Sequence, residues 1–128
     1  MRNWWTPTGL LGAGFLRIGL GASLLARPAG LATALGVDSA TASRVAWAGS
    51  MVGARDVALG AGLVHAVRRG HDPRPWLLAQ AASDAVDALA FSGAVARGHA
   101  RPGKTGAIAA FAALGALAEA QAYRGLGR

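Results

Sequence analysis

Four long runs of small and apolar residues divide the chain, and three of them carry ionisable side chains at their centres. The runs cover 8–26 (TGLLGAGFLRIGLGASLLA), 46–66 (AWAGSMVGARDVALGAGLVHA), 75–96 (PWLLAQAASDAVDALAFSGAVA) and 105–123 (TGAIAAFAALGALAEAQAY). As α-helices they reach ~28–33 Å, the thickness of a hydrocarbon core. Helices of this length also occur in water-soluble bundles, but there each shows a continuous charged face. Here Arg17 is the only charged residue between Trp4 and Ala26. The pattern predicts one all-α domain over 1–128, an up-down bundle of four transmembrane helices in the cell membrane. The connection RPAGLATALGVDSATASR predicts a short interfacial helix before Asp38, between the first and second spans. Arg17 also interrupts what would be the apolar stretch of a cleaved signal peptide, so the first run is expected to remain as a span.

Composition supports lipid as the solvent. The chain holds 32 alanines and 19 glycines, and only 15% of its 128 residues are charged. Small residues let helices approach closely where no hydrophobic drive exists between them. Trp4, Trp5, Trp76 and Tyr123 fall at the end that carries the termini, and Trp47 falls near the opposite end, as amphipathic rings do at membrane interfaces. The net charge of +7 is spread over the connections without interleaved aromatics, so no nucleic-acid partner is expected and anionic headgroups account for it. Six arginines (Arg2, Arg68, Arg69, Arg74, Arg124, Arg128) stand on the termini side against five basic residues opposite (Arg27, Arg44, Arg97, Arg101, Lys104). That small excess favours cytoplasmic termini.

The charges inside the runs share a depth. Counting ~1.5 Å per residue from the termini side, Arg17, Arg55, Asp56, Asp84 and Asp87 all lie roughly 13–18 Å in. A lone charge at that level costs ~2.5–3.5 kcal/mol on insertion scales, so these groups are expected to face inward and pair. Arg55 with Asp84, and Arg17 with Asp56 or Asp87, are the expected pairs. Two arginines face three aspartates, leaving one negative charge that a proton on the Asp84/Asp87 pair would neutralise. Gln80, Asp84 and Asp87 fall on one helical stripe. With His65, Trp76 and Glu119 nearer the termini side, they outline a polar path from the Arg68–Arg69 loop to the charged layer. Gly49 and Gly53 form a GxxxG pair, and Gly12, Gly14, Gly19 and Gly21 line the first helix, both read as packing surfaces.

Other chemistry is poorly served. The chain has no cysteine, which removes disulfides and thiolate ligands. His65, His71 and His99 lack zinc-site spacing. The Asp84-Ala85-Val86-Asp87 spacing of a magnesium–diphosphate site lacks further acidic ligands. No serine or threonine has a triad-like histidine. No metal or cofactor is therefore expected.

The LGV of 35–37, GARDVALGAGL of 53–63 and SDAVDALA of 83–90 together resemble small bacterial four-helix membrane proteins of the DoxX-like group, in a branch catalogued only as a domain of unknown function. The resemblance spans roughly 14–119, and Arg55, Asp56, Gly60, Asp84 and Asp87 are its distinctive residues. It implies an integral membrane four-helix bundle. Some DoxX-related proteins are associated with quinol oxidation or membrane oxidoreductase complexes, whereas this sequence has no ligand set for haem, flavin or iron–sulfur.

The residues point to a lipophilic small molecule, isoprenoid-, quinone- or polyketide-like, as the ligand. In the acid–base version Asp84 or Asp87 transfers a proton, Asp56 belongs to the same layer, and Arg55 and Arg17 stabilise developing negative charge. Gln80, Glu119, His65 and Trp76 are the expected ligand-binding residues. A proton-coupled transporter and a non-catalytic subunit of a membrane complex use the same layer differently. A homo-oligomer or a larger complex is the expected protein partner.

Overall fold

The computed structural model describes residues 3–127; Arg2 and Arg128 of the interface count lie outside them. Among the described residues the chain is all-α, with helices α1 (Pro7–Ala26), α2 (Gly30–Ala34), α3 (Ser39–Arg44), α4 (Ala46–Arg68), α5 (Arg74–Ala96) and α6 (Pro102–Leu126). The ends follow local chemistry. Thr6 Oγ1 accepts from the Gly9 amide at 3.2 Å, with Pro7 in the first helical position, where its missing N–H costs nothing. α4 stops where Gly70 adopts φ +66° and the His71 amide returns to the Ala66 carbonyl at 2.8 Å, a left-handed glycine cap. Asp72, two residues before α5 begins, accepts from the Arg74 amide at 3.0 Å. The Arg74 guanidinium beside Asp72 holds that carboxyl below the usual carboxylate range.

The connection after α1 departs from the expectation of one short helix. It holds two, because Asp38 takes an extended conformation and accepts from the Thr41 amide at 3.0 Å, starting α3 afresh.

Two of the helices, Pro7–Ala26 and Pro102–Leu126, are long and apolar enough to cross a membrane. α4 and α5 match them in length at 23 residues each but carry the pairs Arg55–Asp56 and Asp84–Asp87. Each of the four exposes large apolar side chains: Leu16 on α1, Met51 on α4, Val86 and Leu89 on α5 and Leu114 on α6, Leu89 at 75%. The buried charged residues are instead Arg17 at 9% exposure and Glu119 at 8%. Along the middle of the long helices, large apolar side chains are thus exposed while Arg17 and Glu119 are buried.

The four long helices alternate in direction and form two tight pairs, α1 with α4 and α5 with α6. The α1–α4 seam is glycine on glycine. Gly14 lies against Gly60, and Gly21 against Gly53. The positions are seven apart on each helix, the repeat that keeps one stripe on a partner. A Cβ on Gly60 would stand 2.6 Å from the Gly14 carbonyl oxygen. Gly49 meets the Pro28 backbone rather than sharing this helix seam, while Gly12 and Gly19 face open space. The expected glycine surface is therefore half used. The α5–α6 seam runs along Thr105, Ala109, Ala112, Glu119 and Ala122 of α6. The pairs join at the termini end through Leu10, Leu63, Leu77 and Ala122, covered by Trp4, Trp5 and Val67.

This seam predicts opposite signs for two like substitutions. G60A must force the backbones of α1 and α4 apart and should lose about 1–3 kcal/mol of resistance to unfolding in mild detergent. G12A, in open space, should gain roughly 0.5–1 kcal/mol from helix propensity. Equal effects would show that the seam is not a close contact.

Candidate functional site

Arg17 leaves α1 at its midpoint and meets a carboxylate from each of the other long helices. Its Nη1 donates to Glu119 Oε1 of α6 at 2.9 Å. Its Nη2 donates to Asp84 of α5 and, at 3.4 Å, to Asp56 Oδ1 of α4. Arg55 of α4 closes the ring from the far side. Its Nη1 and Nη2 grip both oxygens of Asp87 at 2.9 and 2.7 Å, and its Nε and Nη2 reach Asp56 Oδ1 at 3.3 and 3.2 Å. A planar guanidinium with five donors can serve several carboxylates at once, which a lysine cannot.

The five ions expected in one layer are therefore together; Arg17 meets Asp56 as expected, and the other two aspartates exchange arginines. Arg55 takes Asp87 instead of Asp84, and Arg17 takes Asp84 with Asp56. Depth along a helix sets the layer, but rotation about the axis chooses the partner. Glu119 joins as a sixth member. Its expected place, nearer the termini side, rested on a helix ending at 123. α6 runs on to Leu126, so Glu119 lies about a turn deeper, within reach of the Arg17 side chain. Gly115, one turn before it, leaves the space that the Asp84 carboxylate occupies, and a Cβ there would collide with it.

Gln80 is buried at 1% exposure and donates to the Leu59 carbonyl at 3.0 Å, tying α5 to α4. His65 and Trp76 stand apart. His65 is exposed beside His71, with ring centroids 6.0 Å apart, and Trp76 lies across Gly62. The polar path expected from the Arg68–Arg69 loop is not formed. The apolar plug of Leu10, Leu63, Leu77 and Ala122 fills the termini end instead.

Between α1 and α6 the helix pairs part on both sides of the ions, from Trp4 at the termini end to Leu31 near the opposite one. A cavity of about 630 Å³ lies between α1 and α6, with Leu16 and Leu20 on one wall and Phe111 and Ala118 on the other. α4 and α5 contribute Val52 and Phe91. Its polar lining includes Arg17, Gln80 and the four carboxylates Asp56, Asp84, Asp87 and Glu119; Arg55 is outside it. Arg55 is thus placed to hold Asp87 and Asp56 rather than to touch an occupant. Asp87 has both oxygens engaged. Asp56, Asp84 and Glu119 each keep a second oxygen with no protein donor among the described residues, and Glu119 Oε2 is buried as well. Such an array can accept hydrogen bonds from an occupant or pass a proton to and from one. Among the described residues there is no group of three or more His, Cys, Asp or Glu able to hold a metal ion.

No family model, no curated protein and no solved structure matches the chain.

The hub predicts a hierarchy of losses. R17M leaves the Glu119, Asp84 and Asp56 carboxylates facing one another and should cost ~3–5 kcal/mol, as removing one partner of a buried pair does. R17M/E119M should recover part of that loss, because one stranded carboxylate leaves with the arginine. Thermal unfolding in detergent reads both; additive losses would contradict the direct Arg17–Glu119 pairing.

Proposed function

We propose that the chain is an integral membrane four-helix bundle that binds a lipophilic small molecule in the groove between α1 and α6. The observation that carries this reading is the union of an apolar cavity of about 630 Å³ with a cluster of carboxylates on its wall. That volume lies within the ~300–1,000 Å³ range of small-molecule sites, which are apolar with a few placed polar groups.

In this reading α4 and α5 span the bilayer beside α1 and α6. Helices of 23 residues reach roughly 35 Å, and their ionisable groups are turned toward partners on neighbouring helices. Apolar side chains at mid-helix then meet lipid tails, and the groove lies open to them, so a lipophile enters sideways from the membrane. Trp4, Trp5, Trp76 and Tyr123 mark one interface and Trp47 the other. The resemblance to the DoxX-like group accords with this architecture.

Within the groove the apolar part of the ligand packs on Leu16, Leu20, Phe91 and Phe111, and its polar end meets the ions. Glu119 and Asp84 are the proposed acid–base groups, since each keeps an oxygen with no protein donor. Asp87 is held by Arg55 and serves to position the layer. Proton-coupled transport is the less favoured use, because Trp4 and the plug of Leu10, Leu63, Leu77 and Ala122 make the way from the ions to the termini end largely apolar.

Protein extracted from native membranes in mild detergent should carry a co-purifying lipophile, seen by native mass spectrometry as an added mass and identified after solvent extraction. A118F, which fills the groove without altering a charge, should lose that mass while the helical content stays unchanged. Equal ligand content in both proteins would place any bound lipophile elsewhere.

A further inference from the structure

Granted that the groove binds a lipophile, which is the reading just given, we propose that it selects lipophilic cations: a positively charged or protonated nitrogen-type head on an apolar body. Four carboxylates, Asp56, Asp84, Asp87 and Glu119, line the cavity, and among the described residues Arg17 is the only cation lining it. Even with Arg55 behind the wall, the cluster holds two guanidinium groups against four carboxylates. Surplus negative charge in a low-dielectric site is costly unless something compensates it. A cationic occupant compensates it, and an anionic one adds to it.

Three further features point the same way. Both terminal nitrogens of Arg17 are committed to Glu119, Asp84 and Asp56, so its charge is already spent within the cluster. Glu119, 92% buried by its 8% exposure, keeps Oε2 without a partner while lining the cavity. Trp4, Phe91 and Phe111 also line it, and aromatic faces attract cations by their quadrupole. The Arg17 Nε–H lacks an acceptor as well. One unpaired donor on a guanidinium already matched by three carboxylates does not reverse the balance of charge.

The test uses two probes of nearly the same shape and opposite sign, tetraphenylphosphonium and tetraphenylborate. Neither brings an N–H donor, so the comparison isolates charge from hydrogen bonding. Binding to the full chain in lipid nanodiscs is measured by equilibrium dialysis, with protein-free nanodiscs subtracted to remove partitioning into lipid. The proposal expects saturable binding of the phosphonium at least tenfold tighter than of the borate. E119Q, which keeps an acceptor for Arg17, should weaken the phosphonium at least tenfold, and D87N should also weaken it. A118F should abolish it by filling the groove with the charges intact. Thermal unfolding of each variant checks that it is folded, and the comparison of the two probes on the unaltered chain needs no variant. Equal binding of the two probes, preference for the borate, or phosphonium binding unaffected by E119Q in folded protein overturns the cation selectivity while leaving the groove as a lipophile site. If neither probe binds saturably and the native-membrane extract also yields no lipophile, the groove reading fails, and this inference with it.

Discussion

The guanidinium of Arg17 is the contact on which the rest of the arrangement depends. It stands at the middle of α1 and reaches one carboxylate on each of α4, α5 and α6. No other described side chain touches all the long helices in this way. A charge at that depth has no aqueous alternative in a membrane, so the three partners must come to it. Arg55 repeats the logic on a smaller scale, clamping Asp87 across the α4–α5 boundary. In the proposed membrane setting, where lipid would remove the usual hydrophobic drive, the ions would do between the helix pairs what apolar burial does in a water-soluble bundle.

The small residues act within the pairs. Gly14 on Gly60 and Gly21 on Gly53 bring α1 and α4 into backbone contact, and a row of alanines does the same for α5 and α6. Two such narrow pairs, joined at the termini end by Leu10, Leu63 and Leu77 and at the middle by the ions, cannot also fill the space between α1 and α6. The groove is the geometric remainder of this packing. Its polar wall is the same set of side chains that holds the bundle, so under the proposed function stability and ligand recognition would compete for the same oxygens. Only the oxygens left over after Arg17 and Arg55 are served remain for an occupant.

Much of this was legible in the sequence, and the limits have physical causes. Apolar runs located the four long helices to within a few residues, because length and charge scarcity are properties of contiguous sequence. Counting residues along them brought Arg17, Arg55, Asp56, Asp84 and Asp87 into one layer. The count could not say which arginine takes which aspartate, since that depends on helix rotation and side-chain reach. Glu119 was set too shallow because α6 continues beyond 123 with Arg124, Gly125 and Leu126, residues that read as a loop. The supposed polar path overlooked Leu10, Leu63 and Leu77, each unremarkable alone and joined only by the fold. A usable sign of the α1–α4 seam was present, the seven-residue spacing of Gly14 with Gly21 and of Gly53 with Gly60, among other glycines that face open space. Hydropathy alone distinguishes α1 and α6 as apolar enough to cross a membrane; α4 and α5 are less apolar because they bring the ions.

The central claim is that the outer face of all four long helices meets hydrocarbon while the charged layer faces inward. The chain has no native cysteine, so single spin labels at Leu16, Met51, Leu89 and Leu114 can report it in lipid bilayers through collision with oxygen and with a water-soluble nickel chelate. The account predicts that all four labels are accessible to oxygen and shielded from the chelate. Ready access of the chelate to the labels on α4 and α5 would mean that those helices lie in water, and would contradict the four-helix membrane bundle directly.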